Sequence, residues 1–265
     1  NREKMTQLMF ETFQVQGLYV AIQAVLSLYS NGRTTGMVCD SGDGVTHTVP
    51  VYEGFQIPHA VKKNYIAGRA ITDHMSKLLQ ADGISEQGGQ SAWRQIIRKI
   101  KEDLCFVSLD PAADKAKAAE STELQKMYEL PDGQTVAINA PRFMAPEGLF
   151  FPELIKEGDE VEGMHKMTFA SIQECDIDIR KDLYSNVILS GGTTLYEGLP
   201  DRLEKELDAM CPNTGMVKII ASKDRYYSVW TGGSTLSSLS TFESQWITKE
   251  EYEENGAEIV HRKCV

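Results

Sequence analysis

The chain has 265 residues, of which 42% are hydrophobic and 25% are charged, the balance of a folded protein long enough for two lobes. Its net charge of −11 argues against nucleic acid as a partner, so any bound polyphosphate must be held by backbone amides and a divalent cation. The five cysteines are widely spaced without a CxxC pair, which predicts neither disulfides nor a zinc site and fits a reducing cytosol. No apolar run is long enough to span a bilayer, and the first residues do not resemble a signal peptide, so no membrane insertion is expected.

The first 66 residues predict helices followed by a β-hairpin. Apolar periodicity and β-branched runs predict a helix, a buried strand, a helix and two hairpin strands, at Arg2–Thr12, Leu18–Ile22, Gln23–Ser30, Gly36–Asp40 and Val45–Tyr52. The second helix ends at Asn31-Gly32, a strong stop signal. A glycine-rich turn joins the two hairpin strands.

The middle of the chain, from residue 68 to about residue 157, differs in residue pattern from the segments on either side and is predicted to be an inserted lobe. Ile71–Gln80 and Ala92–Leu104 place apolar residues at helical spacing. Between them Asp82–Gln90 predicts a glycine-rich surface loop, and Pro131-Asp132-Gly133 predicts a turn further along.

The last third of the chain predicts alternating helices and strands. Met164–Ser185 has helical patterning, and a strand at Asn186–Ser190 leads through a glycine turn into a helix at about Pro200–Met210. Another strand follows at Val217–Ala221. The order strand, glycine turn, helix, strand indicates an α/β fold.

The turn Asp40-Ser41-Gly42-Asp43-Gly44-Val45 is the first candidate site. Glycines let backbone N–H groups approach a phosphate closely, and an aspartate at a strand end can hold a hydrated magnesium ion. On this motif alone an ordinary Asp-Gly hairpin is the preferred interpretation, because such hairpins are common.

The turn Ser190-Gly191-Gly192-Thr193-Thr194 is the second candidate site. A strand that enters a glycine turn and then a helix suits nucleotide binding, although a plain strand-to-helix connection explains it as well. The spacing matches neither GxGxxG nor GxxxxGK[ST], so a Rossmann site and a P-loop are both unsupported. Together, the two turns on separate halves of the chain predict a clamp around a polyphosphate.

Five segments carry a resemblance that extends from the first residue to the last: Asn1–Gln7, Tyr19–Tyr29, Asp40–Pro50, Arg180–Thr194 and Ile259–Cys264. In these segments the chain resembles the actin family. The resemblance implies an actin-like ATPase fold, related to ribonuclease H, with an incomplete first lobe and a complete second lobe. It places residues 1–30 and 228–265 in a partial subdomain 1, residues 31–66 and 158–227 in subdomain 3, and residues 67–157 in an inserted subdomain 4.

The resemblance also implies a site for ATP or ADP with Mg²⁺ or Ca²⁺. Asp40 resembles the aspartate that anchors the metal through water, and Gln23 and His47 resemble the pair that positions the attacking water. The implied nucleotide contacts are Gly42, Asp43, Gly44, Gly68, Arg98, Lys101, Glu102, Gly191, Gly192, Tyr196 and Tyr226. Without the resemblance each of these has an ordinary interpretation, such as a helix start, a hairpin residue or a solvated helix face.

By the same resemblance the chain is a cytoplasmic, cytoskeletal filament subunit with slow Mg-dependent ATP hydrolysis. Its implied partners are other actin subunits and actin-binding proteins, the latter at a hydrophobic cleft formed by Tyr29, Thr34, Leu236, Leu239 and Phe242. The ordinary alternative is that the last three form one helix face packed in the core.

The chain departs from the family pattern at several places. The stretch that carries the first phosphate loop is absent, so we expect this chain alone to be unstable, aggregation-prone or dependent on a partner. Tyr226 stands where a lysine is usual, Lys156–Gly163 replaces an apolar plug loop with an acidic one, and Val265 replaces an aromatic residue. These departures favour two alternatives, a non-catalytic interaction module and an inactive truncated fragment.

Overall fold

The computed structural model describes residues 1–84, 88–156, 161–211 and 216–264. Part of the predicted loop at Asp82–Gln90, half of the acidic loop at Lys156–Gly163, and Val265 lie outside the described residues. The fold is α/β, built around a six-stranded mixed sheet, with two further two-stranded sheets. No helix in the part of the chain that the structure describes is long and apolar enough to cross a bilayer.

The first 66 residues contain two helices and five strands: α1 (Arg2–Gln7), β1 (Gly17–Leu18), α2 (Gln23–Ser30), β2 (Gly36–Ser41), β3 (Thr46–Tyr52), β4 (Phe55–Gln56) and β5 (Lys62–Asn64). A π-helical turn at Leu8–Thr12 extends α1, so the helix predicted to Thr12 is confirmed. The strand predicted at Leu18–Ile22 is wrong beyond Leu18. The Val20 amide donates instead to Cys264 Sγ at 3.2 Å, and β1 pairs with only two residues of its partner strand.

In the described part of the middle of the chain there are four helices and a hairpin: α3 (Gly68–Ala81), α4 (Gln90–Leu104), α5 (Pro111–Glu120), β6 (Lys126–Glu129), β7 (Thr135–Ile138) and α6 (Pro141–Glu147). Both predicted helices are confirmed as α3 and α4. The predicted turn closes the β6–β7 hairpin, where Gly133 adopts a φ of +83° that other residues rarely take.

The remaining elements are α7 (Met164–Gln173), α8 (Ile177–Tyr184), β8 (Val187–Ser190), α9 (Leu199–Met210), β9 (Ile219–Ile220), α10 (Ser228–Ser237), β10 (Ile247–Thr248), α11 (Lys249–Asn255) and α12 (Ile259–Lys263). The helical stretch predicted at Met164–Ser185 is divided in two. The Arg180 side chain binds the carbonyl oxygens of Gln173 and Cys175, which caps the end of α7. The strand predicted at Val217–Ala221 is reduced to β9.

The six-stranded sheet places β2 at its centre. β2 is antiparallel to β3 and parallel to β8, and β9 continues the sheet beyond β8. In this register Asp40 lies opposite both His47 of β3 and Ser190 of β8. All six residues of β2 are buried, which explains its nearly continuous apolar sequence.

Three clusters of buried side chains form the core. The largest joins the sheet to α3, α4, α7 and α9 and includes Met37, Ile71 and Leu203. A smaller cluster lies between α2 and the other face of the sheet, and the third joins the π-helical turn to β10 and α12 through Phe10, Ile247 and Val260.

Helices α2 and α10 approach each other closely. Gly232 of α10 lies against the backbone of Leu26 in α2, and any side chain at position 232 would overlap the Leu26 carbonyl oxygen. This glycine therefore permits the tight packing of the two helices on the sheet.

Candidate functional site

A cleft of about 760 Å³ opens above the ends of β2 and β8. The structure brings together nine of the predicted nucleotide-binding residues on its walls: Gly42, Asp43, Gly68, Arg98, Lys101, Glu102, Gly192, Tyr196 and Tyr226. Sites for small ligands commonly have volumes of about 300–1,000 Å³, so the cleft has room for a nucleotide.

One part of this cleft is built mainly from backbone and is called the glycine end; it comprises Gly42, Gly68 and Thr193 on the wall and Gly191 directly behind it. The Gly42 carbonyl oxygen accepts hydrogen bonds from the Gly68 amide at 2.9 Å and from Thr193 Oγ1 at 2.7 Å. The Arg69 amide donates to the Asp43 carbonyl oxygen at 2.7 Å. The first glycine turn is thus fastened both to the start of α3 and to the second glycine turn.

Two glycines at this end occupy positions that a side chain would obstruct. A Cβ atom on Gly68 would lie 2.8 Å from Thr193 Oγ1. Gly191 has a φ of +88°, and a Cβ atom there would lie 2.5 Å from Asp40 Oδ1 and would overlap the Ser41 carbonyl oxygen. Because glycine has no side chain, the backbone atoms of the turns and the Asp40 carboxylate can approach a ligand through the narrow space at these positions.

Asp40 lies beneath the glycine end, near the end of β2, with 7% of its surface exposed. Its Oδ2 is 3.8 Å from His47 Nε2 on the neighbouring strand. Burial raises the pKa of the Asp40 carboxyl group, and the nearby His47 opposes the rise. A carboxylate that loses hydration in this way gains most from a cation, so Asp40 beside the Gly191 turn fits a divalent metal that keeps its waters.

The predicted water-positioning pair lies in a second, smaller cavity of about 300 Å³. Gln23 at the start of α2 and His47 of β3 both line this cavity, together with Gln56 and Lys63. Because His47 pairs with Asp40 across the sheet, the structure places the three predicted catalytic residues in one neighbourhood.

A second part of the cleft wall is built from side chains and is called the side-chain end; it comprises Arg98, Glu102, Tyr196 and Tyr226. Arg98 and Glu102 form an exposed ion pair one helical turn apart, at 2.9 Å. Tyr226 is 58% exposed, packs its ring edge-to-face on Tyr227 at 4.7 Å, and lies against Gly192. These groups present charge and an aromatic ring to the cleft.

Lys101 lies on the same helix as Arg98 and Glu102 and reaches the glycine end. Its Nζ donates to the Gly68 carbonyl oxygen at 2.9 Å, and burial lowers the pKa of its amino group. Lys101 therefore supports the start of α3 as well as lining the cleft.

The family model for actin matches residues 1–265. The chain belongs to the actin family. Members of this family generally bind a nucleotide and a divalent cation, which agrees with the glycine turns, the buried carboxylate and the size of the cleft of this chain. Among the residues that the structure describes, no cluster of three or more His, Cys, Asp or Glu is arranged to hold a metal ion.

Two residues of the predicted nucleotide set lie off the walls of the actin-family cleft, as far as the described residues define them. Gly44 is part of the first glycine turn but is not on the cleft wall, and Gly191 lies behind it against Asp40. Tyr196 is on the wall, although its hydroxyl group is buried without a hydrogen-bond partner among the described residues. Burial raises the pKa of Tyr196 well above its usual value.

Sequence reasoning missed five further cleft residues: Asp103, Cys105, Thr193, Leu195 and Glu197. Thr193 lay within a turn that the sequence already singled out, so its motif was an available signal. Asp103 and Cys105 follow Glu102 at the end of α4, but no pattern in the sequence indicated that they line the cleft.

The predicted partner cleft of the actin-family chain is only partly assembled from its five residues. Tyr29 and Leu236 line a cavity of about 280 Å³. Thr34 is exposed, and Leu239 is 49% exposed. Phe242 is buried and packs edge-to-face on Tyr19 at 4.9 Å, so it belongs to the core.

Proposed function

We propose that this actin-family chain binds ATP or ADP with Mg²⁺ or Ca²⁺ in the large cleft, and hydrolyses ATP slowly as a subunit of a filament. The observation that carries the proposal is the union of the two glycine turns at the Gly42 carbonyl oxygen, directly above the buried Asp40. Segments that are about 150 residues apart thereby form a single surface suited to phosphates.

The glycine end would hold the phosphates. The two glycine turns would present backbone N–H groups to phosphate oxygens, because no side chain intervenes. Asp43, Gly44 and Gly192 would supply these groups, since the Gly42 and Gly191 amides already donate to the carbonyl oxygens of Val45 and Arg225. Asp40 would hold the metal through water, and the bound metal would offset the charge that develops on the leaving diphosphate.

Gln23 and His47 would orient the attacking water. A glutamine amide can hydrogen-bond water but cannot take its proton, whereas a neutral imidazole nitrogen can accept one. His47 is held beside Asp40 by the strand pairing, with its Nε2 3.8 Å from Asp40 Oδ2. A site that positions the attacking water without a strong base is expected to hydrolyse ATP slowly, which suits a filament subunit better than a metabolic enzyme.

The side-chain end would receive the base and ribose. Tyr226 would stack on the base, and Arg98, Lys101 and Glu102 would border the base and ribose. We also propose the family division into subdomains, with residues 1–30 and 228–265, 31–66 and 158–227, and 67–157 as its parts. The same proposal includes association with other actin subunits and a location in the cytoplasm, as part of the cytoskeleton.

The direct test is magnesium-dependent binding of a fluorescent ATP analogue to this 265-residue chain. We expect micromolar binding that Asp40→Ala abolishes, and that Asp73→Ala leaves unchanged. Asp73 is a matched control because it is an exposed aspartate paired with Arg94, away from the cleft. Absence of binding by a folded sample would contradict ATP chemistry for this chain.

A second candidate is a non-catalytic interaction module that receives actin-binding proteins. The cavity lined by Tyr29 and Leu236 favours this function. The exposed Leu239 follows Leu236 by three residues in the chain. Leu236→Asp, on the wall of that cavity, should abolish capture of such a partner without changing nucleotide binding. Unchanged capture by that variant would count against docking at this cavity.

A further inference from the structure

Three buried serines meet behind the cleft, and the sequence singled out only one of them, Ser190, as the first residue of the second glycine turn. The hydroxyl oxygens of Ser27 and Ser190 are 3.0 Å apart, those of Ser190 and Ser228 are 3.0 Å apart, and those of Ser27 and Ser228 are 3.3 Å apart. Their residues are 0%, 1% and 4% exposed, respectively. These three hydroxyl groups, called the serine ring, form a closed triangle of hydrogen bonds.

A closed triangle suits hydroxyl groups in particular. Each hydroxyl group has one hydrogen to donate and lone pairs to accept, so three of them can each donate once and accept once around the ring. Hydrogen bonds in such a chain polarise one another in a low-dielectric interior. Removal of one hydroxyl group leaves a buried donor and a buried acceptor without partners, which affects both remaining members.

Each member of the serine ring lies next to a different part of the site. Ser27 is one helical turn after Gln23 on α2, so the two side chains share a face of that helix. Ser190 ends β8, directly before Gly191, and pairs in register with Asp40. Ser228 begins α10, two residues after Tyr226.

Further contacts join the elements that carry the ring. Gly232 is one turn after Ser228 and lies against Leu26, the residue before Ser27, so α10 meets α2 on the face that carries the ring. The Arg225 side chain binds the carbonyl oxygen of Thr194, which ties the Tyr226 segment to the second glycine turn.

We propose that Ser27, Ser190 and Ser228 are positioning residues that hold the Gln23 side of the site and the Tyr226 side in a fixed relation. This inference rests on the proposed nucleotide function of the cleft. None of the three serines is among the described residues that line the two cavities, and the ring acts through the three elements that carry those residues. A change at one member is therefore transmitted to the other two elements.

Hydrogen exchange of the full chain without nucleotide tests the inference independently of nucleotide binding. The amides of Leu26, Thr194 and Tyr227 report on the three elements, because each donates to a local carbonyl oxygen. We expect Ser228→Ala to accelerate exchange about tenfold at all three amides, since one buried hydrogen bond contributes about that factor. Acceleration at Tyr227 alone would overturn the inference.

Ser171→Ala is the matched control. Ser171 is an equally buried serine in α7 whose hydroxyl group donates to the Ala60 carbonyl oxygen at 2.6 Å, away from the ring. We expect this variant to leave the three reporter amides within about twofold of the wild type. The same three-site acceleration in Ser171→Ala would show general destabilisation and would overturn the inference.

Two further measurements separate the possible failures. If Ser228→Ala does not fold, native-state exchange of the wild type in rising denaturant should show one shared opening for the three reporter amides, and separate openings would overturn the inference. In a sample that hydrolyses ATP, Ser228→Ala should lower kcat about tenfold through Gln23, and an unchanged kcat would also overturn it. If the wild type binds no nucleotide, the proposed function fails while the exchange result still decides the role of the ring.

Discussion

The glycine end and the side-chain end of the cleft are made in different ways. At the glycine end, the carbonyl oxygen of Gly42 is bound by the Gly68 amide and by the Thr193 hydroxyl group, and Asp40 is buried below. At the side-chain end, Tyr226 is 58% exposed and the Arg98–Glu102 ion pair faces solvent.

This difference indicates where binding energy and adaptability lie. Backbone groups fixed by hydrogen bonds pay little conformational entropy when a ligand arrives, whereas exposed side chains must be ordered at that moment. We therefore expect the glycine end to supply most of the affinity for a nucleotide. The side-chain end should modulate it and should tolerate substitution.

The largest expected effect is that of Gly191→Ala at the glycine end. The new methyl group would overlap the Ser41 carbonyl oxygen, and alanine disfavours the φ of +88°. We expect a loss of about 3 kcal/mol or more in the free energy of unfolding, together with loss of nucleotide binding. Chemical denaturation measures the first effect and fluorescence titration the second.

Gly133→Ala is the control for backbone strain alone. Gly133 has a similar φ of +83°, but no atom lies within 4 Å of the position of its new methyl group. We expect a loss of only about 1 kcal/mol and unchanged binding. Equal losses in the two variants would refute close packing at Gly191 as the cause.

Asp40→Asn should affect stability and binding in opposite directions. Because burial raises the pKa of the Asp40 carboxyl group, its ionisation at neutral pH opposes folding, and the uncharged amide should raise the free energy of unfolding. The gain in the free energy of unfolding should shrink as pH falls through the raised pKa, because the wild-type carboxyl group then becomes protonated and is uncharged, like the amide. Denaturation curves across pH measure this trend, and a destabilised variant at neutral pH would contradict it.

In the same variant, magnesium dependence of nucleotide binding should disappear. The wild type should lose its magnesium-dependent binding as pH falls, because a protonated Asp40 carries no charge for the metal. Titration of the fluorescent analogue with and without Mg²⁺ at several pH values checks both statements. Magnesium-dependent binding by Asp40→Asn would show that the metal is held elsewhere.

Thr193→Val should have a moderate effect on the glycine end. The substitution keeps the side-chain shape but removes the hydroxyl group that joins the two glycine turns. We expect binding to weaken about fivefold to tenfold, the value of one hydrogen bond. Thr235→Val is the control, because that exposed hydroxyl group binds only the Thr231 carbonyl oxygen within its own helix. Equal effects in both variants would exclude the bridge as the cause.

The smallest expected effect is that of Tyr226→Ala at the side-chain end. We expect binding to weaken by about threefold to fivefold, because a solvent-exposed ring contributes about 1 kcal/mol of stacking. Tyr226→Phe keeps the ring and should bind as the wild type does. A larger loss than that caused by Thr193→Val would reverse the ranking of the two ends.

The local elements of the fold could be predicted from sequence, and their long-range contacts could not. Helix α2 and the β2–β3 hairpin follow from apolar periodicity, β-branched runs and turn residues, which act within a few positions of the chain. The strand predicted beyond Leu18 failed because the Val20 amide is taken by Cys264, more than 240 residues away. No local pattern encodes that contact.

The site shows the same division. The two glycine turns were apparent as motifs, and the structure brings them together as a clamp requires. The hydroxyl bridge from Thr193, the amino group of Lys101 on the Gly68 carbonyl oxygen, and the serine ring depend on tertiary placement. Ordinary residue types such as serine and threonine carry no sequence signal of a partner so distant in the chain.

The most direct test of the account compares the affinities of Mg-ATP, AMP and adenosine for this chain by calorimetry. The account predicts that Mg-ATP binds at least about a hundredfold more tightly than adenosine, with AMP close to adenosine, because the affinity lies with the β- and γ-phosphates at the glycine end. Similar affinities for all three ligands would place the binding energy at the side-chain end and contradict the central claim.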